Sequence, residues 1–159
     1  MTEKRIMSVA DAVRHVHHTA LCVTDFERAR DFYVDFLGFE LEGEMDQRNE
    51  PELGTVVGLD GAMIRWALLR LGTHRIELFK YHQPQGKSDA RRQCDFGFTH
   101  LAFEVGDVDA VYARTQEAGY EAISPPQVMR GGRTKAFYLL EPEGAVTEFI
   151  EFPDQEVLP

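Results

Sequence analysis

Residues 98–107, FTHLAFEVGD, repeat the plan of residues 17–25, HHTALCVTD. In both stretches a histidine begins a short, largely apolar run, and an aspartate stands seven residues after that histidine. A helix-like segment follows each aspartate and closes at Gly-Phe-Glu (38–40) in one copy and at Gly-Tyr-Glu (119–121) in the other. The matched residues are His18 with His100 and Asp25 with Asp107. The chain is therefore expected to contain two copies of one unit.

A glutamate also recurs downstream of each histidine. Glu77 lies in IELF, residues 76–79, and Glu148 lies in TEFI, residues 147–150. Both tetrapeptides belong to runs that alternate as β-strands do. Each copy is therefore expected to supply one histidine from its first strand and one glutamate from its last.

The two copies show the same order of elements. Strand-like runs at 64–71 and 74–81 close the first copy, and runs at 136–140 and 146–152 close the second. Each copy thus reads β-α-β-β-β, with one strand weakly marked. The sequence predicts an α+β fold made of two tandem βαβββ modules.

The predicted boundaries follow from this repeat. They are an N-terminal arm at 1–13, the first module at 14–82, a linker at 83–95, the second module at 96–153 and a C-terminal tail at 154–159. Residues 42–62 are acidic, rich in glycine and weakly periodic. We expect them to form a mobile loop with a short helical piece, and to act as a lid or specificity loop.

Composition narrows the class of protein. A chain of 159 residues has the length of one domain, and its formal net charge of −10 disfavours nucleic acid and anionic membrane surfaces as partners. The only two cysteines, Cys22 and Cys94, have neither metal-site nor disulfide spacing. We therefore expect a cytoplasmic protein.

Alternation along the strands allows two imidazoles and two carboxylates to converge on one surface. Nitrogen and oxygen donors without thiolate suit one divalent ion among Zn, Ni, Co, Mn and Fe(II). A carboxylate of such a set can also serve as a general base, which makes Glu148 and Glu77 the candidate catalytic residues. The predicted metal ligands are His18, Glu77, His100 and Glu148. His17 competes with His18, but the seven-residue step to Asp25 favours His18.

These stretches resemble the vicinal oxygen chelate superfamily, which includes glyoxalase I, bleomycin resistance proteins and extradiol dioxygenases. The resemblance covers residues 14–153 and implies a curved mixed sheet built by the two modules around a metal site. The four-ligand order is similar to that of bacterial glyoxalase I, whereas extradiol dioxygenases would not need Glu77. The resemblance thus favours a proton-transferring isomerase or lyase whose metal ion chelates the vicinal oxygens of a small substrate.

The residues expected to bind the substrate differ from those of glyoxalase I. That enzyme usually grips glutathione with an arginine and an asparagine at the positions where Cys22 and Tyr81 stand here. A small, partly apolar or aromatic substrate is therefore expected, with Trp66 as a further aromatic candidate. The predicted substrate-pocket residues are Cys22, Arg65, Phe79, Tyr81, Arg130 and Phe152.

Two other functions stay open at this stage. One is an extradiol-type dioxygenase that uses Fe(II) or Mn(II), and the other is a non-catalytic protein that binds a small molecule. A homodimer is implied by the resemblance, because short modules leave sheet edges to cover. The spacing does not determine whether the metal site lies within one chain or is shared between two.

Overall fold

The computed structural model describes residue 9 and residues 12–87, 93–94 and 97–153. In the first module, β1 (Thr19–Cys22) leads into α1 (Phe26–Asp31), which continues as a π-helical turn (Phe32–Phe36), and then come β2 (Glu40–Arg48), α2 (Pro51–Val57), β3 (Met63–Leu71) and β4 (His74–Gln83). The second module contains β5 (Leu101–Glu104), α3 (Val108–Glu117), β6 (Glu121–Ala122), β7 (Gln127–Met129), a 3-10 turn (Arg130–Gly132), β8 (Thr134–Leu140) and β9 (Val146–Glu151). None of the described helices is long and apolar enough to span a membrane.

The two repeated aspartates begin the helices, as the sequence predicts. Asp25 and Asp107 both have extended backbones, and the side chain of each accepts a hydrogen bond from the backbone N–H three residues later, at 3.2 and 2.9 Å. Such N-caps satisfy a backbone donor that has no partner within the helix. The repeat therefore fixes the point at which each helix leaves its first strand.

Each module forms one mixed sheet in the part of the chain that the structure describes. The strand order is β1-β4-β3-β2 in the first module and β5-β9-β8-β6 in the second, with β7 also on β8. The first strand of each module runs parallel to the last, and the remaining pairs are antiparallel. The α+β class and the two tandem modules are confirmed. The ladders form two sheets, one per module, where the resemblance implied a single one.

The prediction of a loop at 42–62 is wrong over much of its length. Residues 42–48 belong to β2, the edge strand of the first sheet, and only the short helical piece, α2, was expected. Two register shifts interrupt the pairing of β2 with β3, and such irregularities break the alternation by which a strand is recognised in sequence. Glu42 is also not a loop residue in solvent, because it pairs with Arg70 and Arg75 across the sheet.

Other predicted boundaries are tested only in part. β4 continues to Gln83, one residue past the predicted end of the first module. Most of the N-terminal arm (1–13), part of the linker (83–95) and the whole tail (154–159) lie outside the described residues.

The two modules share one core. The rings of Phe32 and Tyr120 lie 5.2 Å apart, and those of Phe39 and Phe103 lie 6.0 Å apart, so aromatic contacts join the modules. Leu21, on β1, packs against this core, whereas its neighbours on the strand are exposed. The modules therefore meet through the faces of their sheets that carry the helices. The opposite face of each sheet is called here its open face.

A buried carboxylate joins the modules at one end of this core. Glu141, 7% exposed, accepts hydrogen bonds of 2.8 Å from the hydroxyl of Tyr33 in the first module and of 2.8 Å from the hydroxyl of Thr147. Both carboxylate oxygens thus have a donor, as a buried charge requires. This contact holds the two modules in one relative orientation.

Candidate metal centre

The first module places His18 beside Glu77 on its open face. β1 pairs with β4 in parallel, and Ala20 lies opposite Glu77 in the ladder. His18 stands two residues before Ala20, so both side chains lie on the same face. The Nε2 atom of His18 is 3.0 Å from Oε2 of Glu77.

The second module repeats this arrangement in the same register. Ala102, two residues after His100, lies opposite Glu148 in the parallel pairing of β5 with β9. The Nε2 atom of His100 is 3.2 Å from Oε2 of Glu148. The carboxylate side chains are 17% exposed for Glu77 and 12% for Glu148, so each pair is partly sheltered but open to solvent.

The residue before each histidine contacts the other ring nitrogen. Nδ1 of His18 lies 2.9 Å from Nδ1 of His17, and Nδ1 of His100 lies 3.0 Å from Oγ1 of Thr99. Such a contact orients the imidazole ring, and the tautomer of the histidine decides which partner donates. His17 therefore lies beside His18 and contacts it, and of the two it is His18 that faces Glu77.

Aromatic side chains surround the first pair. The indole N–H of Trp66 donates a hydrogen bond to Oε1 of Glu77, and Trp66 lies opposite Phe79 in the β3–β4 ladder. Further along this face, Cys22 and Tyr81 line a cavity of about 410 Å³ together with Lys80 and Lys87. Burial raises the pKa of the Cys22 thiol and of the Tyr81 hydroxyl. Three predicted pocket residues, Cys22, Phe79 and Tyr81, thus lie on the same side as the pair.

The second pair has a different neighbour that the sequence interpretation missed. Tyr138 lies directly opposite Glu148 in the β8–β9 ladder, and its ring centroid is 5.0 Å from that of His100. Burial, with a smaller contribution from Glu148, raises the pKa of the Tyr138 hydroxyl. Counting back across the turn at 141–144 from Glu148 would have found this tyrosine.

A cavity of about 270 Å³ lies beside Tyr138. Its lining is largely apolar and includes Ile123, Met129 and Ala136, with Gln127 as a polar member. Ala136 is two residues from Tyr138 on the same strand and so points to the same face. The apolar cavity is therefore linked to the second pair through Tyr138, which lines the cavity and lies against the ring of His100.

The prediction that Arg65 serves the substrate is wrong. Its guanidinium contacts Glu27 and Glu44 and lies 4.4 Å from the ring centroid of Phe26, on the helix-bearing face of the sheet. Strand neighbours point to opposite faces, so Arg65 points away from the side that Trp66 occupies. The arginine is committed to holding α1 against the sheet.

The two remaining predicted pocket residues belong to the second module. Arg130 is exposed in the 3-10 turn Arg130–Gly132, and Phe152 is half-buried just after β9. Neither lines the cavity beside Tyr138. Their roles stay predictions.

The four predicted ligands come together as two pairs and not as one group. Within the described ranges, no three side chains of histidine, cysteine, aspartate or glutamate are close enough to hold one metal ion. The pairs lie on separate sheets that share a core through their other faces. One chain therefore presents two half-sites, each with one nitrogen and one oxygen donor. Two half-sites together would supply the N₂O₂ set that suits a divalent first-row ion.

Comparison with known proteins identifies the family. A sequence profile of the glyoxalase/bleomycin resistance protein/dioxygenase superfamily matches residues 15–149. The chain belongs to this superfamily. Members of it are typically dependent on divalent metals, in agreement with the donor set described above.

Similar proteins within the superfamily include an epimerase and a lyase. A 2-epi-5-epi-valiolone epimerase of an Actinomyces species is 34% identical over 146 residues, which cover 87% of this chain and 79% of the relative. A lactoylglutathione lyase of Pseudomonas putida is 30% identical over 159 residues, which cover 85% and 83%. A glyoxalase family protein of Bacillus cereus has the same fold, with a TM-score of 0.77 at 21% identity over 96% of this chain and 98% of that one. The chain is therefore an enzyme of the superfamily.

Proposed function

We propose that the protein is a cytoplasmic, divalent-metal-dependent isomerase or lyase that moves a proton next to a carbonyl group of a small substrate. The observation that supports this most strongly is the recurrence of one contact, a histidine Nε2 atom beside a glutamate carboxylate, at the same register in both modules. A structural role alone would not require the same two side chains at the same two places. One ion among Zn, Ni, Co, Mn and Fe(II) would occupy each complete site.

Each metal site would lie between two copies of the chain. Because the modules pack through their helix-bearing faces, the pair formed by His18 and Glu77 cannot face the pair formed by His100 and Glu148 in the same chain. A homodimer in which the first open face of one chain meets the second open face of the other would complete two identical sites. Such exchange is compatible with twofold symmetry.

The two carboxylates have different roles in this proposal. When bound, the metal would polarise the substrate's carbonyl group and make the adjacent C–H bond more acidic. Oε1 of Glu77 is engaged by Trp66, whereas no side chain among the described residues donates to Oε1 of Glu148. Glu148 is therefore the carboxylate that is freer to take the proton and return it, and Glu77 is the fixed ligand.

The substrate class follows from the cavity and from the missing glutathione grip. An apolar cavity beside Tyr138 suits an apolar substituent on a molecule that binds through two vicinal oxygens. Cys22 and Tyr81 stand where an arginine and an asparagine would hold glutathione. We therefore favour an epimerase-type reaction on a small hydroxyketone over the isomerisation of a glutathione adduct, in keeping with the relative named an epimerase.

Exchange of substrate hydrogen with solvent tests the proposal. The protein would be stripped of metal, loaded separately with Ni²⁺, Co²⁺, Zn²⁺, Mn²⁺ or Fe²⁺, and incubated in D₂O with a panel of small α-hydroxyketones and with the hemithioacetal of methylglyoxal and glutathione. We expect deuterium to enter the carbon next to the carbonyl of at least one hydroxyketone, only in metal-loaded protein. Proton NMR of the substrate would follow the exchange.

The same samples distinguish the alternatives. Absence of exchange with every compound in every metal form would contradict the proposal. Oxygen uptake by the iron-loaded protein with a catechol would indicate the dioxygenase alternative instead. Exchange that persists fully in Glu148→Gln and in Glu77→Gln would exclude a carboxylate base.

A further inference from the structure

The indole of Trp66 completes the hydrogen bonding of the Glu77 carboxylate. One oxygen, Oε2, lies 3.0 Å from Nε2 of His18, and the other, Oε1, accepts the indole N–H. A hydrogen bond to an ionised acceptor is shorter and stronger than a neutral one. Both oxygens of this predicted ligand therefore have partners on the open face.

The register of the sheet explains why the tryptophan reaches this glutamate. Glu77 lies directly opposite Leu68, and Trp66 stands two residues further along β3 on the same face. Diagonal neighbours of this kind are within reach of a long aromatic side chain.

The indole ring itself is held on both sides. A Cβ atom added to Gly43 would lie 3.4 Å from the ring carbons, so the glycine on β2 leaves room for the ring at van der Waals contact. The guanidinium of Arg48 lies 5.6 Å from the ring centroid, within the range of a cation–π interaction. The direction of the N–H is thus fixed by packing before any ligand arrives.

The second module has no counterpart of this donor. Ala136 occupies the position of Trp66 relative to the glutamate, because Ala136 pairs with Ile150 as Trp66 pairs with Phe79. Tyr138 occupies the position of Leu68 and lies against His100 by its ring. The indole contact is therefore a feature of one half-site and not of the repeated scaffold.

We infer that Trp66 is a positioning residue that fixes the carboxylate of Glu77 for metal binding through its indole N–H; this inference rests on the proposed metal site. Groups that orient a ligand typically change metal affinity by roughly 10- to 100-fold when they are removed. Trp66→Phe keeps an aromatic ring and deletes the N–H. It is expected to weaken metal binding by that factor.

A first experiment examines the contact without metal. Trp66 is the only tryptophan in the chain, so the ¹H–¹⁵N spectrum of the metal-free protein contains a single indole resonance. We expect Glu77→Ala to move this resonance upfield and to speed its exchange with solvent, whereas Glu148→Ala leaves both unchanged. An indole resonance whose chemical shift and solvent exchange are the same in Glu77→Ala as in the wild type would overturn the inference.

A second experiment is a double-mutant cycle on metal affinity. Dissociation constants for Ni²⁺ and Co²⁺ would be measured calorimetrically for the wild type, Trp66→Phe, Glu77→Ala and the double variant. If Trp66 acts through Glu77, Trp66→Phe weakens binding in the wild type and has no further effect once Glu77 is alanine. Equal weakening in both backgrounds would assign the effect to packing and overturn the inference.

The outcomes separate this inference from the proposed function. A wild-type protein that binds none of the tested divalent ions would contradict the proposed function. A wild-type protein that binds metal while Trp66→Phe binds it equally tightly would contradict only the role of Trp66.

Discussion

The two open faces have the same histidine and glutamate at the same register, yet they differ at the two positions of the neighbouring strand that face the glutamate. The first module has Leu68 opposite Glu77 and Trp66 two residues along, and the second has Tyr138 and Ala136 in the corresponding places. In the first module the indole donates to the carboxylate, and a cavity of about 410 Å³ lies further along the face, at Cys22 and Tyr81. In the second, alanine leaves a cavity of about 270 Å³.

This difference shows how a duplicated scaffold can divide one task. In both modules the strand register brings a histidine to a glutamate. The neighbouring strand then decides what that pair can do. In the proposed function, the carboxylate held at both oxygens is the fixed metal ligand, and the carboxylate with one oxygen free of side-chain donors among the described residues is the base.

The largest expected effect separates the two glutamates. Glu148→Gln should lower turnover by about 10³-fold, because a positioned general base typically contributes 10²- to 10⁴-fold. Glu77→Gln should instead weaken metal binding, with turnover largely restored at saturating metal. Rates of substrate deuteration, measured across a metal titration, check both variants.

Reversed behaviour of the two variants would contradict the assigned roles of the glutamates. If Glu77→Gln abolished exchange at full metal occupancy while Glu148→Gln lost only metal, the fixed ligand and the base would have to be interchanged.

The next largest expected effect is on stability, from removal of the Glu141 contact between the modules. Glu141→Ala removes the acceptor of the buried Tyr33 and Thr147 hydroxyls, and an unpaired buried donor costs about 1–3 kcal/mol. We expect a loss of about 3 kcal/mol in the free energy of unfolding, measured in urea. Glu143→Ala is the matched control and should cost less, because the backbone donors that Glu143 caps are exposed. Equal losses in the two variants would show that Glu141 is not the main link.

Filling the cavity beside Tyr138 is expected to have a moderate effect on substrate binding. Ala136→Leu should raise the KM for substrates with an apolar substituent by about tenfold, since one or two methylenes in an apolar pocket change binding by that order. Metal affinity should stay unchanged, and the melting temperature would report any overpacking. Met129→Ala, which enlarges the cavity, should favour bulkier substrates. A changed metal affinity with an unchanged KM would place the cavity outside the substrate site.

The smallest expected effect concerns pH. Burial raises the pKa of the Glu141 carboxyl above 4.5, although hydrogen bonds from Tyr33 and Thr147 act in the opposite direction. A carboxyl with a raised pKa binds its proton more tightly in the folded state. The stability that it contributes is present below pH 4.5 and is lost as pH rises through the folded pKa. Melting temperatures of Glu141→Gln and the wild type should therefore diverge in favour of the variant as pH rises.

The stability that Glu143 contributes is expected to depend on pH in the opposite direction. Burial acts to raise its pKa, but hydrogen bonds from Thr24 and Asp25 outweigh burial and lower it. Its contribution should be present above pH 4.5 and lost as pH falls through the folded pKa. If both glutamate variants showed the same pH trend, the assigned directions would be wrong.

The repeat made much of the fold predictable from sequence. A histidine and an aspartate at a fixed spacing mark a strand and a helix N-cap, which are local features, and both copies of each fold as expected. β2 was missed because its irregular pairing with β3 breaks the alternation. Arg65 was misplaced because the prediction did not fix which face of β3 it occupies.

The sequence predicted the histidine and glutamate of each pair but not the side chains that surround them. The contacts of Trp66 and Tyr138 depend on the register between neighbouring strands, which a turn sets and a periodicity does not. The relative placement of the two pairs depends on how the modules pack, and the spacing of residues along the chain does not determine that. The sequence therefore indicated the four residues but not that they form two separate pairs, one on each sheet.

Complementation between two inactive variants tests the shared site most directly. One variant would lack the first pair, by His18→Ala and Glu77→Ala, and the other would lack the second, by His100→Ala and Glu148→Ala. Coexpression with different tags allows the mixed dimer to be isolated. If sites form between chains, one of its two sites is intact, and the mixed dimer should recover about half of wild-type metal binding and turnover. A mixed dimer that forms but recovers neither would contradict the account.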